Sequence, residues 1–597
     1  RLRREGELTV VETPVDPRLE VAEIHRRVIA AGGPALLFTN VEGSDFPLAT
    51  NLFGTARRAA WAFGTRPKKF VERLASLPEK LFPPSPAKLW AARDVGFDLL
   101  KVGLRRRRRG PVADVVDRTP GLDRLPLVTS WPEDGGPFVT LPLVYTEHPD
   151  TGVPNLGMYR MQRHDASTTG MHWQIGKGGG FHYDVAEARG EALPVTVFLG
   201  GPPALILSAI APLPENVPEL LLASLIAGER LDRVHGAGPH PLVGEAEFAL
   251  IGEVPPRERR AEGPFGDHYG YYSLRHDYPV FRVQALAHRR DAIYPATVVG
   301  KPRQEDFFIG DLLQELLSPL FPLVMPAVRD LWSYGETGYH ALAAAVVRER
   351  YAREAMSSAF RILGEGQLSL TKFLLVLDAP RDLRDFRATF EHLLERTRPE
   401  VDLYVFPNLS MDTLDYSGPR VNRGSKGVWL GLGDPVRTLP RAFAPRVDPP
   451  PDMRGAHVYC AGCLVVGAGP IDRDPDAAAR YAAHPAFEGW PLIVVHDDPA
   501  RAAASDMNFL WSTFTRFDPA RDVYAKSVRA EANHLLRTPP IAIDARVEAS
   551  FPDELFCDPE TEATVERRWK DYFPQGQEMG DARRGHLDAP RSDRPRN

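Results

Sequence analysis

The most informative stretch of this chain is EGPFGDHYGYY, from Glu262 to Tyr272. Two carboxylates, Glu262 and Asp267, flank the sequence Gly-Pro-Phe-Gly, which is typical of a sharp turn. When two carboxylates share a site, the pKa of one rises, and an arginine between them keeps the other ionised, which supplies an acid and a base at neutral pH. The stretch therefore predicts an acid–base site. The alternative is a surface turn whose carboxylates have no such role.

Arg160, in the segment PNLGMYRMQ that begins at Pro154, is the predicted partner of these carboxylates. Side chains alternate between the two faces of a strand. A strand in this segment would place Met158, Arg160 and Gln162 on one face, where the guanidinium could reach the turn.

The patterns on either side of the turn predict several domains, since 597 residues are enough for about three to four. Helix and strand signals alternate up to about residue 100, the text from Asp123 to Pro295 is strand-like, and helical signals return beyond Glu305. We therefore predict α/β and α+β domains in four segments: an N-terminal α/β domain (1–122), a β-rich central domain (123–304), a C-terminal α/β domain (305–574) and a disordered tail (575–597).

The C-terminal portion contains a candidate internal repeat. KFLLVLDAPRDLRDF begins at Lys372 and PLIVVHDDPARAAAS begins at Pro491, and each reads as strand, Asp, Pro and helix. The similarity predicts a duplicated unit in tandem.

The composition argues against several classes of protein. A net charge of −6 and a pI near 6.3 disfavour a general nucleic-acid binder. Three cysteines are too few for a disulfide framework, and the first residues lack the apolar run of a secretory signal, so we expect a cytoplasmic protein. The longest charge-free apolar stretch, Leu193–Pro214, contains five prolines and predicts no membrane span.

Three smaller motifs have competing interpretations. GKGGG, from Gly176 to Gly180, either cradles a phosphate with Lys177 and backbone N–H groups or forms a flexible hairpin loop. On a strand, Cys460 and Cys463 of CAGC would point to opposite faces, so two small buried residues are expected rather than a redox or metal pair. The run Arg105–Arg109 is either a solvated loop or a peripheral membrane contact for anionic lipid head groups.

Four residues carry N and O atoms that suit Mn²⁺ or Mg²⁺: Asn155, His172, His182 and Glu219. No sequential spacing links them. Each histidine fits equally a hydrogen-bonded structural role.

Taken together, these segments resemble the UbiD family of decarboxylases, which use prenylated FMN. The similarity covers most of the chain in the family's order, through VDPRLEVAEIHRRVIAAGGPALLF, NLFGT, LPLVTSWPEDGGPF, PNLGMYRMQ, PLPENVPE, EGPFGDHYGYY and GSKG. The resemblance implies an N-terminal α/β domain, a central split β-barrel of the flavin-reductase type and a C-terminal α/β domain that mediates dimerisation.

Carried onto this sequence, the resemblance implies a catalytic network of Arg160, Glu262 and Asp267. Asp267 matches the proton donor, and Glu262 matches the carboxylate that orients the arginine. Asn155 and Glu219 match ligands of a divalent cation, with Mn²⁺ as the expected ion, that bridges to the flavin phosphate, and K⁺ is a further candidate ion. The other residues expected at the cofactor are Met158, Tyr159, Gln174, Lys177 and Lys426.

One position departs from the family pattern, because Gly176 stands where a histidine usually completes the metal site. Three explanations remain open: His182 or His172 substitutes through a shifted loop, phosphate and water fill the gap, or the metal site is lost. The glycines that follow permit a rearranged loop, which favours His182.

The resemblance implies reversible, non-oxidative decarboxylation of an aromatic acid by a homodimer or homohexamer, with a flavin prenyltransferase as cofactor supplier. The first substrate hypothesis is a polyprenylated hydroxybenzoate or a naphthoate-type precursor in ubiquinone or menaquinone synthesis. The alternatives are decarboxylation of a small soluble aryl or heteroaryl acid, and a non-catalytic flavin-binding homologue, which Gly176 motivates.

Overall fold

The computed structural model describes residues 1–81, 83, 85–91, 93, 101–173, 178–211, 213, 217–300 and 303–581. The chain divides into two compact units. The first comprises residues 1–316 and the described residues from 554 onward, and the second comprises residues 317–553.

Within its described residues, the first unit contains four sheets. A four-stranded sheet has the order Leu8–Val11, Ala35–Phe38, Leu48–Thr50 and Tyr294–Pro295. The largest sheet has the order Thr168–Gly170, His276–His288, Phe248–Val254, Leu193–Leu199, Leu143–Glu147 and Pro154–Gly157, and Arg259–Glu262 and Val115–Asp117 also pair with His276–His288. The two small sheets comprise Leu242–Val243, Leu231–Val234 and Leu104–Arg107, and Phe138–Val139 with Met161–Gln162.

The strands of the largest sheet pair along an open path, so no closed barrel forms within the described part of the chain. Every pairing in this sheet is antiparallel. The strand Leu193–Leu199 is buried at six of its seven positions, which explains why its text is a nearly continuous apolar run. The implied split barrel remains a prediction.

Helices cover these sheets, and the first and last of them pack together. The helices of the first unit are Glu20–Ala30, Ala56–Phe63, Arg66–Leu81, Pro86–Ala91, Gly178–Arg189, Ala204–Ile210, Glu219–Ala227, Glu305–Leu317 and Pro559–Tyr572. The side chain of Glu20 binds Arg568 and Tyr572, and Arg27 donates to Glu566 at 3.2 Å. Beyond the last helix, the backbone N–H of Gly580 donates to Arg27 at 3.0 Å, while the predicted disordered tail after residue 581 lies outside the described residues.

The second unit contains two five-stranded sheets with the same pairing pattern. Their orders are Val328–Ser333, Leu342–Val347, Phe373–Leu377, Gly424–Gly431 and Leu403–Leu409, and Ala456–Cys460, Cys463–Gly467, Leu492–His496, His534–Asp544 and Val523–Glu531. In each sheet the successive pairings are antiparallel, parallel, parallel and antiparallel. One hydrophobic core includes Leu375 of the first sheet and Val494 of the second.

The helices of the second unit begin where the sequence places helix caps. Asp385 accepts from Ala388 and Asp498 accepts from Arg501 at the starts of two of them. The helices are Phe321–Val324, Glu354–Gly364, Phe386–Arg396, Pro399–Asp402, Ala477–Ala483, Pro499–Ala503 and Asp506–Phe514.

By length and composition alone, the helical stretch Glu305–Val324 could cross a membrane, with a mean hydropathy of 1.4. The apolar stretch Leu193–Pro214 does not form such a helix, because Leu193–Leu199 is a strand. A single helix of this kind is weak evidence for a membrane span, because core helices pass the same test.

Candidate active site

The stretch Glu262–Ser273 forms a tight turn at the end of a strand. Arg259–Glu262 pairs with His276–His288, and the backbone N–H of Asp267 then donates to Tyr271 at 3.1 Å. Gly263 has a φ of +95°, which a residue with a side chain rarely adopts. A Cβ on Gly266 would lie 2.0 Å from Cδ1 of Trp131, so the turn packs directly on the indole ring. The glycines predicted to make the turn are therefore required by backbone conformation and by close packing.

Arg160 lies between the two carboxylates, as the sequence predicts. Its Nε donates to Glu262 at 2.9 Å, one terminal nitrogen donates to Asp267, and the other donates to the hydroxyl of Ser273 at 3.0 Å. The guanidinium carbon also lies 4.7 Å from the centre of the Phe265 ring. The backbone differs from the expectation, because Met158 and Arg160 follow the strand Pro154–Gly157 instead of lying on it.

Both carboxylates are buried and ionised. Burial by itself would raise the pKa of Glu262, but the charge of Arg160 and the hydrogen bond with His172 hold it below its ordinary value. Burial would also raise the pKa of Asp267, but His268 and Arg160 hold this pKa well below the ordinary range. The site thus holds two charged carboxylates around one arginine. The expectation that the pKa of one carboxylate rises is wrong, because Arg160 contacts both.

His172 belongs to this network. Its Nδ1 lies 2.6 Å from Glu262, and its ring packs against Tyr278 with centroids 4.3 Å apart. Burial and the charge of Arg160 lower the pKa of His172. Its position next to Glu262 places this histidine in the arginine–carboxylate cluster.

The loop that carries Asp134 hydrogen-bonds to this turn. Asp134 accepts backbone N–H groups from Gly266 at 2.8 Å and from Ser130 and Trp131 at 2.9 Å. Gln162 accepts from the backbone of Gly263 at 2.7 Å. Burial raises the pKa of Asp134 to about 6, so it is ionised at neutral pH, as a group that accepts three N–H bonds requires.

Asn155 and Glu219 lie together in the first unit. The Asn155 amide donates to Glu219 at 3.0 Å, and the other Glu219 oxygen accepts the backbone N–H of Leu156 at 2.9 Å. The buried Asn155 Oδ1 has no hydrogen-bond partner within the described structure. A carboxylate beside an orphaned amide oxygen is the donor set that a hard divalent cation takes, so these two residues fit the implied metal.

The His182 ring contacts a strand next to this pair and already has a hydrogen-bond partner there. It lies on the helix Gly178–Arg189, and its Nδ1 is 2.8 Å from Oγ1 of Thr146, the residue that pairs with Asn155 across the strands. Burial and the neighbouring His148 lower its pKa to about 4, so the ring is neutral at pH 7, which is the form that binds metals.

The remaining predicted cofactor residues are distributed over three regions. The hydroxyl of Tyr159 accepts the backbone N–H of Gly179 at 3.4 Å, and Met158 adjoins it, half-buried. Gln174, Gly176 and Lys177 lie outside the described residues. Lys426 is in the second unit, where its ammonium donates to the carbonyls of Ser369 and Thr371 at 2.7 Å and burial lowers its pKa to about 8.

Two structural assumptions about minor motifs are wrong, although Cys460 and Cys463 are small buried residues, as expected. Arg105–Arg107 lies on the strand Leu104–Arg107 and not in a loop, and Arg105 and Arg107 bind Asp232 at 2.6 and 3.0 Å. Cys460 and Cys463 do not point away from each other, because a two-residue turn makes them directly opposed cross-strand partners, both buried as free thiols.

Several residues of the site were not identified from the sequence. Ser273 is the third partner of Arg160, His268 contacts Asp267 through both its backbone N–H and its ring, and Asp134 holds the turn. His268 directly follows Asp267, and Asp134 lies in the SWPEDGGPF segment, so their positions in informative stretches were the available signal.

Comparison with known proteins places the chain in a family. Sequence models of 3-octaprenyl-4-hydroxybenzoate carboxy-lyase match its N-terminal domain to residues 1–77, its Rift-related domain to 104–302 and its C-terminal domain to 307–431. A Chlamydia pneumoniae protein, named as a subunit of 4-hydroxybenzoate decarboxylase, is 50% identical over 574 residues, which covers 96% of this chain and 97% of that protein.

Solved structures share the fold at low identity. Vanillic acid decarboxylase of Sedimentibacter hydroxybenzoicus, in its closed form, superposes with a TM-score of 0.64 at 24% identity over 76% of this chain and 94% of that chain. The UbiD-class enzyme HmfF of Pelotomaculum thermopropionicum, in complex with FMN, gives a TM-score of 0.61 at 24% identity over 73% and 93%. With matching sequence models over all three domains and a relative at half identity along nearly its whole length, the chain belongs to the UbiD family of carboxy-lyases.

Proposed function

We propose that this protein decarboxylates an aromatic carboxylic acid without net oxidation, using prenylated FMN. The observation that carries the proposal is Arg160 held between the ionised carboxylates of Glu262 and Asp267. Burying an arginine with two carboxylates costs desolvation energy, and clusters of this kind are concentrated at functional sites. The non-catalytic alternative is disfavoured because all three groups are present and in contact.

Arg160 is the proposed anchor for the substrate carboxylate. A guanidinium has five N–H donors, and its contacts with Glu262, Asp267 and Ser273 use three of them. The other two can bind a substrate carboxylate, while Glu262 and Ser273 keep the planar group oriented. Asp267 then delivers a proton to the carbon from which CO₂ departs.

Asn155 and Glu219 are the residues proposed to hold Mn²⁺ or a similar cation, with His182 as the candidate third ligand. Met158, Tyr159, Gln174 and Lys177 are proposed contacts of the cofactor, and K⁺ remains a candidate second ion. When bound, prenylated FMN supplies a sink for the electron pair that CO₂ leaves on the ring carbon. The chain itself binds the carboxylate, excludes water and moves the proton.

For the substrate we propose a hydroxybenzoate-type acid. The support comes from the names of the matching family and of the chlamydial relative, both of which refer to 4-hydroxybenzoate or its octaprenyl derivative. For the prenylated acid of quinone synthesis, the exposed arginines 106, 108 and 109 are the proposed peripheral contact with an anionic membrane from the cytoplasmic side. A homodimer or homohexamer is the proposed assembly.

We also propose that the two five-stranded sheets arose by duplication. Their identical order and polarity support it, as does the alignment of Phe373–Leu377 with Leu492–His496. In this alignment Pro491 stands at the position of Lys372 and Pro540 at that of Lys426, so the second copy lacks the lysines of the first.

The experiment is co-expression with a flavin prenyltransferase, followed by the visible spectrum, cofactor mass spectrometry, metal analysis and a panel of short and prenylated hydroxybenzoates. We expect stoichiometric flavin and CO₂ release from at least one acid. Asp267→Asn should abolish turnover and retain flavin, whereas the surface control His235→Ala should match wild type. Folded, flavin-loaded protein that releases no CO₂ from any acid and exchanges no ring hydrogen would contradict the proposal.

Activity on short acids alone, unchanged by lipid or detergent, would assign the small soluble substrate instead of the quinone precursor. Binding to anionic vesicles, and its loss when arginines 106, 108 and 109 are replaced by glutamine, tests the membrane contact separately.

A further inference from the structure

Asp267 is closed off from solvent, although each turnover must consume a proton there. Its side chain is 8% exposed. Loss of CO₂ breaks a carbon–carbon bond, leaves the electron pair on carbon and forms a carbon–hydrogen bond, so one proton is used for each acid converted. Arg160 and His268 hold Asp267 ionised at rest, so that proton must be brought to it.

His268 is the group positioned to bring it. Its Nδ1 lies 2.5 Å from Oδ1 of Asp267, and its side chain is 27% exposed. In the described part of the chain, the side chains that hydrogen-bond to Asp267 are those of Arg160 and His268. A guanidinium does not release a proton near neutral pH, whereas an imidazole both binds and releases one there.

A second carboxyl lies close to this histidine. Asp306 is at the start of the helix Glu305–Leu317, and its Oδ1 is buried without a hydrogen-bond partner within the described structure. Its carboxyl is near enough for the charges of His268 and Asp267 to act on it. Two acidic side chains therefore flank one partly exposed imidazole.

We propose that His268 relays protons from solvent to Asp267, an inference that rests on the proposed decarboxylase function. The imidazolium gives its Nδ1 proton to Oδ1 of Asp267 and becomes neutral. Asp267 passes that proton to the carbon and becomes a carboxylate again, and a solvent proton restores the imidazolium. The sum is one solvent proton for each CO₂ released.

The test compares wild-type holoenzyme with His268→Ala, His268→Gln and the surface control His235→Ala. We expect kcat to fall about 100-fold in both His268 variants, with KM and flavin content within about twofold of wild type. Added imidazole should restore the turnover of His268→Ala in proportion to its concentration and should leave wild type and His235→Ala unchanged. The glutamine variant retains a donor for Asp267, so it keeps the turn folded if the alanine variant does not.

A readout independent of turnover is the infrared pH titration of cofactor-free protein, with Asp267→Asn to assign the band. Loss of His268 should raise the pKa of Asp267. The infrared band of its protonated carboxyl should therefore appear at higher pH in both His268 variants than in wild type. Unchanged kcat in the His268 variants, or a loss that no imidazole concentration restores while flavin stays bound, would overturn the relay. Wild-type protein inactive on every acid would overturn the decarboxylase proposal instead, and the infrared result would still report on the His268–Asp267 pair.

Discussion

Asp134 holds the turn that carries Asp267, because its Oδ1 accepts the backbone N–H of Gly266 at 2.8 Å. Its other oxygen accepts from Ser130 and Trp131, so one buried carboxylate ties two loops of the first unit together. A carboxylate can accept all three bonds, whereas an amide has one oxygen and must present N–H groups to a backbone donor. Asp134 thus fixes the position of Asp267 without touching it.

Asp134→Asn should therefore loosen the turn while conserving its volume. We expect a loss of about 1–3 kcal/mol in the free energy of unfolding, because a buried N–H is left without an acceptor, and a lower kcat at unchanged flavin content. Chemical denaturation and steady-state kinetics measure the two effects. The control Asp45→Asn removes an exposed partner of Arg124 and should stay within about 0.5 kcal/mol of wild type. Equal effects of the two variants would refute the role of Asp134.

Gly266→Ala should disrupt the same turn from the other side. The added Cβ would meet Trp131, whose ring cannot move away because Nε1 donates to Val299 at 2.8 Å and Arg26 stacks on the indole at 4.3 Å. We expect about 1–3 kcal/mol of destabilisation and loss of most activity. Gly364→Ala is the matched control, since no atom lies within 4 Å of its added Cβ and it ends a helix. That control should be neutral or slightly stabilising, and thermal unfolding separates the two cases.

Arg160→Lys keeps the positive charge but removes the planar guanidinium with its several N–H donors. A lysine cannot hold Glu262, Asp267 and Ser273 in one plane and still bind a carboxylate with two parallel bonds. We expect kcat/KM to fall roughly 100-fold or more with flavin retained. The exposed substitution Arg290→Lys serves as control. A lysine variant with near wild-type kcat/KM would show that charge alone is sufficient.

Glu219→Ala should weaken binding of the proposed divalent cation. Asn155 would keep an orphaned oxygen but lose its carboxylate neighbour. We expect the bound metal, measured by elemental analysis, to fall at least about tenfold and flavin content to fall with it, while the exposed control Glu245→Gln retains both. Full metal occupancy in Glu219→Ala would exclude Glu219 as a ligand.

The buried carboxyl of Asp306 should make the free energy of unfolding of this protein depend on pH. Burial raises its pKa from 3.8 to about 7, so the folded state binds the proton more tightly than the unfolded chain. Tighter proton binding by the folded state adds to the free energy of unfolding below the unfolded pKa. This stabilisation is lost as pH rises through about 7, and the free energy of unfolding then falls by on the order of 4 kcal/mol. Asp306→Asn should therefore stabilise the protein at pH 8 and have little effect at pH 4.5.

Urea unfolding at the two pH values measures the Asp306 effect. The exposed control Asp123→Asn should leave the pH profile unchanged. A stabilisation by Asp306→Asn that is equal at both pH values would contradict the assigned titration.

The sequence by itself determined the family, and it predicted that Arg160 lies between Glu262 and Asp267, as the structure shows. The family came from the resemblance of whole segments, whereas short-range rules account for the local structure. Gly263 and Gly266 favour a turn between Glu262 and Asp267, and the spacing of apolar residues predicts strands and helices. The candidate repeat was visible for the same reason, because each copy is a local strand–Asp–Pro–helix pattern.

Only the tertiary structure decided which distant groups meet. Asp134 and Gly266 are 132 residues apart, and Arg160 and Ser273 are 113 apart, so their contact depends on sheet register and loop packing that no local pattern encodes. Cys460 and Cys463 show the limit at short range, because a two-residue turn reverses the side-chain alternation assumed for a strand. Local propensity fixes backbone shape over a few residues, whereas burial and pairing across the whole unit fix which side chains share a site.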